Sequence, residues 1–360
     1  MILVLAVAAG LWALGWAMGA PVRARVLLVA GLIGGAILVQ LVLPPGHPLR
    51  QATGGSAQAW LVLLGAAALA AAYAAGLRWL KARAPSAAPP AATAAGGRDD
   101  IDRDAPFDAA EIDRYARHIF LREIGGPGQR KLKAARVLVI GAGGLGAPSL
   151  LYLAAAGVGT IGVLDDDRVD RSNLQRQVIH SEAAVGQPKV ASAAAAMRAL
   201  NPHVRAVPLE RRLTAENAAE LFADYDLILD GSDNFDTRYL ANRAAVAAGK
   251  PLLSAAITQW EGQISLFDPA HGTPCYECIF PTRPAPGLVP SCAEAGVAGP
   301  LPGVLGSMMA LEAVKWITGA GKVLAGEMLI YDGLWGETRK LALSPRADCP
   351  VCGARHRATG

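Results

Sequence analysis

The stretch that decides the fold is Val137–Lys189, VLVIGAGGLGAPSLLYLAAAGVGTIGVLDDDRVDRSNLQRQVIHSEAAVGQPK. An apolar run, Val137 to Ile140, ends in Gly141, Gly143, Gly144 and Gly146, and a helix-forming run follows. A second apolar run, Thr160 to Leu164, stops at Asp165. Strand, glycine turn, helix, and a strand ending in an acid predict a mononucleotide-binding unit of a doubly wound, mostly parallel α/β sheet. Gly141 permits the tight turn, Gly143 lets the backbone approach a phosphate, and Gly146 packs the helix on the sheet. The free N–H groups at the helix start favour an anion. Asp165, 19 residues beyond Gly146, is placed to bond ribose hydroxyls. This much suits NAD as well as ATP.

The residues just beyond the acid separate the two. Arg176 and Lys189 can each contact a triphosphate, and Asn173 can support it. Pro188 marks a helix start with Lys189 in its first turn, where the helix dipole disfavours a cation unless an anion lies beside it. Asp166, in the run Asp165 to Asp167, reads as a solvated strand end. Further on, Leu227 to Leu229 runs into Asp230-Gly-Ser-Asp233-Asn234-Phe-Asp236. Polar groups at such a strand end lie where doubly wound sheets bind ligands. Asp233 is the candidate for Mg²⁺ between phosphates, with Asn234 beside it as a nucleotide contact. Apolar patterning predicts helices over 191–200, 215–223, 237–248 and 304–317, and strands over 204–209, 251–256, 262–267 and 328–331. Upstream, Asp108 to Ile124 predicts one helix, capped by Asp108 and Glu111 and closed by GGPGQ. Its Arg114, Arg117 and Arg122 read, from spacing alone, as a solvated face.

The 360 residues are 52% hydrophobic and only 18% charged, with mean hydropathy +0.30, which points to a part in lipid. A net charge of +4, dispersed along the chain, argues against nucleic acid as a partner. Three apolar segments, about 1–20, 26–43 and 59–77, predict three transmembrane helices in a region over 1–83. A cleaved signal peptide is the poorer reading, because the first segment has no positive leader. Arg23 and Arg25 follow the first segment, and Arg78, Lys81 and Arg83 the third, against Arg50 alone in the other loop. That bias predicts a multi-pass inner-membrane protein with its catalytic part in the cytoplasm. Residues 84–106, rich in Ala and Pro and then charged, predict a flexible linker before a catalytic domain over 107–360.

Four of the five cysteines form two C-x-x-C pairs, Cys275/Cys278 and Cys349/Cys352. Two such pairs predict a structural Zn²⁺ site with four thiolates. A single thioredoxin-like redox pair would not need the second copy. Cys292, in PSCAEAG, is either an unreactive thiol or a nucleophile or sulfur carrier facing the ligand site.

Together RYARHIFL, GAGGLG, LDDDRVDRSNLQRQ, GQPK, GSDNFDTR, CYECIFP, CAEAGVAGPLPGVLG and CPVC resemble the ThiF/MoeB/HesA family, bacterial relatives of ubiquitin-activating enzymes, across Asp108 to Gly353. The likeness is greatest to adenylyltransferases of molybdopterin synthase and of the thiamine sulfur carrier. It implies that ATP·Mg²⁺ and a ubiquitin-like sulfur carrier ending in Gly-Gly are the substrates, and that an acyl-adenylate and pyrophosphate form. It places Gly144 at the phosphates, Asp165 at the ribose, Asn173, Arg176 and Lys189 on the triphosphate, and Asp233 on Mg²⁺. It makes Arg117 a finger reaching the ATP of a neighbouring subunit, hence a homodimer, and overrides the bland reading of that arginine. Cys292 matches a cysteine that is catalytic in some members and dispensable in others. His118 stands where many members carry Gln. No rhodanese-like domain follows the second cysteine pair, so a separate sulfur-donor protein is expected. An NAD-dependent oxidoreductase would explain Gly141 to Asp165 but not Arg176, Lys189 and Asp233. A non-catalytic membrane scaffold would not need them all.

Overall fold

The computed structural model describes residues 2–44, 46–54, 56–83, 105–284 and 296–357. Most of the expected linker, and Cys292, lie outside the described residues. The chain divides into two compact units, Met1–Thr93 and Ala94–Gly360.

The first unit holds α1 (Ile2–Ala17), α2 (Val22–Val42), α3 (Pro48–Ala52) and α4 (Ala57–Arg83). Val4, Ala36 and Trp60 pack together against Leu32, Ile33 and Ile37. A polar knot sits beside them. The Gln40 amide donates to the Arg50 carbonyl and to Thr53 Oγ1, both at 2.7 Å, and Trp60 Nε1 donates to the Thr53 carbonyl at 2.9 Å. Three spans were expected, and that expectation is corrected. Among the described residues one helix, α2, is long and apolar enough to cross a bilayer, with 21 residues and mean hydropathy 2.2. Helix α1 has 16 residues, which at 1.5 Å per residue is about 24 Å, short of the roughly 30 Å hydrocarbon layer. Helix α4 has 27 residues and carries Arg78, Lys81 and Arg83 in its last turns; it is not among the candidate spans of the described residues. The multi-pass arrangement, and the orientation read from it, go with the lost spans.

The second unit is built on one eight-stranded sheet in the order β3-β2-β1-β4-β5-β6-β7-β8. Its strands are β1 (Arg136–Ile140), β2 (Thr160–Leu164), β3 (Arg205–Leu209), β4 (Leu227–Asp230), β5 (Leu252–Ile257), β6 (Glu261–Phe267), β7 (Glu327–Asp332) and β8 (Glu337–Ala342). The first five pair in parallel, and the last three continue antiparallel from β5. Strand β1 shows why its sequence is apolar throughout rather than alternating. Val137 and Val139 enter one core and Leu138 and Ile140 the other, because helices cover both faces. On the first face lie α6 (Gly125–Ala134), α7 (Gly146–Ala156), α8 (Lys189–Leu200) and α12 (Pro300–Thr318), through Leu132, Leu150, Leu153, Met197, Leu305 and Met309. On the second lie α9 (Ala215–Ala223) and α10 (Phe235–Ala248), through Leu221, Phe222, Ala241 and Ala245.

Two local readings change. The helix expected over 108–124 is α5 (Ala109–Ile119), with the Asp108/Glu111 capping box in place. The glycines that were to close it instead open α6, which starts at Gly125 in a left-handed conformation at φ +59°. Strand β8 was not anticipated. All its residues are exposed, so no burial pattern marks it in the sequence. The short helices α11 (Tyr276–Ile279) and α13 (Gly353–Arg357) carry or flank the cysteine pairs.

Phe222, on the core-facing side of α9, is fully buried. Phe222→Ala is expected to cost about 3–5 kcal/mol, read as a lower midpoint in urea unfolding with unchanged slope. A change below 1 kcal/mol would deny it a place in the core.

Candidate active site

The order β3-β2-β1-β4-β5 puts the topological switch between β1 and β4, and ligands of doubly wound sheets bind outside the strand ends there. The two strand ends meet closely. The Gly231 N–H donates to the Ile140 carbonyl at 3.0 Å. Gly141 is at φ +93°, and a Cβ on it would sit 3.1 Å from the Gly231 carbonyl oxygen. A Cβ on Gly146 would lie 1.9 Å from the Gly141 carbonyl oxygen. Gly146 was expected to serve helix–sheet packing; its first constraint is this contact within the turn.

Around the turn the chain assembles most of the expected residues. The Asp165 carboxylate accepts from the Ala142 N–H and from the Asp167 N–H, each at 2.8 Å. Lys189 is 5% exposed, and its ammonium donates to Asp167 Oδ2 at 2.8 Å. Asp167 thus holds the buried charge, while Asp166 lies outward with Arg212 at 3.3 Å. The Arg176 guanidinium donates to Asn173 Oδ1 at 2.7 Å. Its Cγ and the ring of Pro302 at the start of α12 flank Gly144, within 3.7 Å of where a Cβ would stand. Glycine turn, acid and cations therefore converge at one end of the sheet.

The turn after β4 is held by a group that sequence reading passed over. Asp230 is completely buried. Its carboxylate accepts from the Ser232 N–H and hydroxyl, from the Ser254 hydroxyl at 2.9 Å, and from Arg238 at 3.4 Å. Arg238 also donates to the carbonyls of Ser232 and of Ala255. This network fixes the loop that presents Asp233, which is exposed and has no partner among the described residues. An acid at a strand end followed by a basic residue eight positions on was the available signal. Asn234 is occupied differently from expectation: its side chain caps α10, accepting from the Thr237 N–H at 2.9 Å. Gln177 and His180 were also missed. Both are buried beside the glycine turn, and the side-chain oxygen Oε1 of Gln177 lacks a partner among the described residues.

Arg117 is not brought to this cluster by its own chain. Helix α5 is anchored through Tyr115, whose hydroxyl accepts from Asn201 at 2.8 Å and whose ring covers Gly157. Gly157 and Asn201 cap the C-terminal ends of α7 and α8. The glycine turn lies at the opposite end of those helices. Arg117 is exposed and meets no partner among the described residues.

The four paired cysteines do meet. Sγ distances are 3.9 Å for Cys275–Cys278, 3.6 Å for Cys275–Cys349 and 3.3 Å for Cys278–Cys352. All four sulfurs lie within 4.8 Å of one another, and all four residues are buried. A tetrahedral ion with bonds of about 2.3 Å requires sulfurs about 3.8 Å apart, so the arrangement fits. The Asn242 amide and the Arg346 N–H point at Cys275 and Cys278, at 3.8 and 3.4 Å. Burial pushes the Cys275 thiol well above its ordinary range and the Cys352 thiol up to about 12. Thiolates packed in this way need a cation to be stable.

The ThiF family profile matches residues 115–351, and the chain belongs to the ThiF family. Among the curated proteins it is 54% identical over 247 residues to the sulfur carrier protein adenylyltransferase of Thermus thermophilus, covering 68% of this chain and 91% of that one. It is 49% identical over 247 residues to the SAMP-activating enzyme E1 of Haloferax volcanii, covering 69% and 91%. It is 53% identical over 243 residues to the probable adenylyltransferase/sulfurtransferase MoeZ of Mycobacterium tuberculosis, covering 67% of this chain and 62% of that one. Of the solved structures, the microcin C7 biosynthetic enzyme MccB in complex with N-formylated MccA matches with TM-score 0.61 at 22% identity, over 69% of this chain and 77% of that one. That last likeness concerns the fold.

If the cysteine cluster holds an ion, stripping it with a strong chelator, or making Cys352→Ser, should remove several kcal/mol and lower Tm by about 10 °C. An unchanged Tm in both experiments would remove the structural role.

Proposed function

We propose that the protein is an ATP-dependent adenylyltransferase acting on the C-terminal glycine carboxylate of a ubiquitin-like sulfur-carrier protein. The observation that carries this reading is the pairing of a glycine turn and ribose-type acid with two cations, Arg176 and Lys189, at the same sheet end. A dinucleotide site has no use for both cations. The relatives named above are adenylyltransferases or activating enzymes, which supports the same reading.

The chemistry follows from charge. A carboxylate and a triphosphate repel, so cations must screen the charge before in-line attack on the α-phosphorus. The carrier carboxylate is already ionised at neutral pH, so no general base is required. Catalysis is positioning and electrostatic stabilisation. In this reading the N–H groups of the glycine turn and Arg176 with Lys189 hold the phosphates, Asn173 orients Arg176, and Asp165 receives the ribose. Asp233, free and exposed on its fixed loop, would hold Mg²⁺, which neutralises phosphate charge. The ion in the cysteine cluster would be Zn²⁺, saturated by four sulfurs and therefore structural. Sulfur would come from a donor protein.

Arg117 then acts across a dimer, because its helix sits at the wrong end of its own sheet. A second copy also has a face to cover. Tyr152, Val178 and Leu311, each about 60% exposed, line an apolar groove with Pro148, Val304 and Met308. Two of its lining residues are close in sequence to the nucleotide turn: Pro148 is in the first turn of α7, and Val178 follows Gln177, which stands against Gly143. The N-terminal unit, with α2 as its span, would attach the catalytic unit to a membrane on the side where ATP is available.

Arg117→Ala and Asp233→Ala should each lower carrier-dependent ATP–pyrophosphate exchange by about 10³-fold or more with the fold intact. Mixing the two inactive variants after dissociation should restore about a quarter of wild-type activity, since half the dimers are mixed and each has one intact site. Normal exchange in a folded Asp233→Ala protein would sink the mechanism, and no recovery on mixing would sink the shared site. Separately, the full chain should stay with membranes through a carbonate wash and be released by deleting residues 1–83. A full chain that washes off denies the anchor.

A further inference from the structure

We infer that His180, through its contact with the Ala142 carbonyl, is a positioning residue for the nucleotide, aiming the Gly143 N–H of the glycine turn at the phosphates. The inference rests on the ATP reading of this site. His180 is 7% exposed and lies in the segment between the turn and α8. Its Nε2 is 3.0 Å from the Ala142 carbonyl oxygen, and its Nδ1 is 2.9 Å from the Ser192 hydroxyl. A carbonyl can only accept, so Nε2 carries the proton, and the Ser192 hydroxyl donates to a bare Nδ1. Burial, and then Lys189 nearby, lower the pKa of His180 against the opposing pull of the Ala142 carbonyl, which keeps the ring neutral.

The effect on the turn follows from peptide geometry. The Ala142 carbonyl and the Gly143 N–H belong to one planar trans peptide and point in opposite directions. Holding the carbonyl against His180 sends the N–H the other way, toward the open side of the turn. Among the described residues that N–H meets no acceptor. The Ala142 N–H is held as well, by Asp165 at 2.8 Å, so both peptides around Ala142 are fixed. Gly143 and Gly144 on its C-terminal side give the Ala142–Gly143 peptide little steric restraint of its own.

The contact also closes a circuit. Ser192 is three residues beyond Lys189 on α8, so the two share a helix face. Lys189 reaches Asp167, whose N–H reaches Asp165, whose carboxylate reaches Ala142. His180 returns the path from Ala142 to Ser192. The acid read as a ribose ligand and the lysine read as a phosphate ligand are thereby set at a fixed spacing through one imidazole.

The test compares His180→Gln, His180→Asn and His180→Ala in the full-length chain. The glutamine amide nitrogen sits as far along the side chain as Nε2 and can replace the bond to Ala142. The asparagine amide reaches only as far as Nδ1. Affinity for a non-hydrolysable ATP analogue is measured by calorimetry, KM for ATP and kcat by pyrophosphate exchange, and Tm alongside. Loss of one aligned donor to a charged phosphate predicts a KM and Kd increase of about 10–100-fold in the Ala and Asn variants. The Gln variant should lie within about threefold of wild type, and kcat should change little in all three. Equal affinity in wild type and His180→Ala, or Gln no better than Asn at matched Tm, overturns the inference. Analogue binding needs no carrier protein. A wild-type chain that binds the analogue but exchanges with no carrier would count against the proposed reaction alone, leaving the role of His180 to be decided by the binding series.

Discussion

The structure depends on a near-contact of backbones where β1 and β4 end. Gly141 turns at φ +93° beside Gly231, and Gly146 begins α7 against the Gly141 carbonyl. A side chain at any of these points would push the strand ends apart. Because they meet, the free N–H groups at the start of α7, the acid closing β2 and the loop after β4 share one small space. A helix start supplies partial positive charge only within its first turn, so this closeness is what makes the group an anion site.

Charge is managed differently above and below that space. Below it, charged groups are paired and buried: Asp230 with Arg238 and two serines, and Glu111 with Lys133 at 3.0 Å. Removing one member of such a pair leaves the other stranded, so these pairs act as fixed struts rather than as sources of stability. At the site itself the ions are held more lightly. Asp167 is exposed and Lys189 buried, so an incoming anion can compete for the lysine without disturbing the core. Asp230 and its partners hold the loop after β4 still while the lightly held ions remain available.

Several parts of this were legible in the residues. The glycine spacing, the strand-ending acid and the apolar runs located the βαβ unit to within a residue or two, because each reflects a local backbone requirement. The two cysteine pairs were legible because a two-residue gap has few other uses. Asp230 was not, since an acid at a strand end looks alike whether buried or solvated. Nor was His180, whose partners Ala142 and Ser192 are 38 and 12 residues away. The membrane region was over-read at its first segment, where the chain turns after 16 helical residues and so falls short of a bilayer, a length that composition alone does not set.

The sequence by itself determined which residues have the chemistry and which backbone positions must be glycine, because both depend on the side chain at one position. It also carried enough motif detail to place the chain in its family. Only the tertiary structure decided which of those residues meet. It joined Lys189 to Asp167, drew four cysteines together across 74 residues, and put Arg117 at the far end of the sheet from the turn. Those outcomes depend on strand order and on which helix covers which face. They are properties of the whole packed sheet, and no short stretch of the chain contains them.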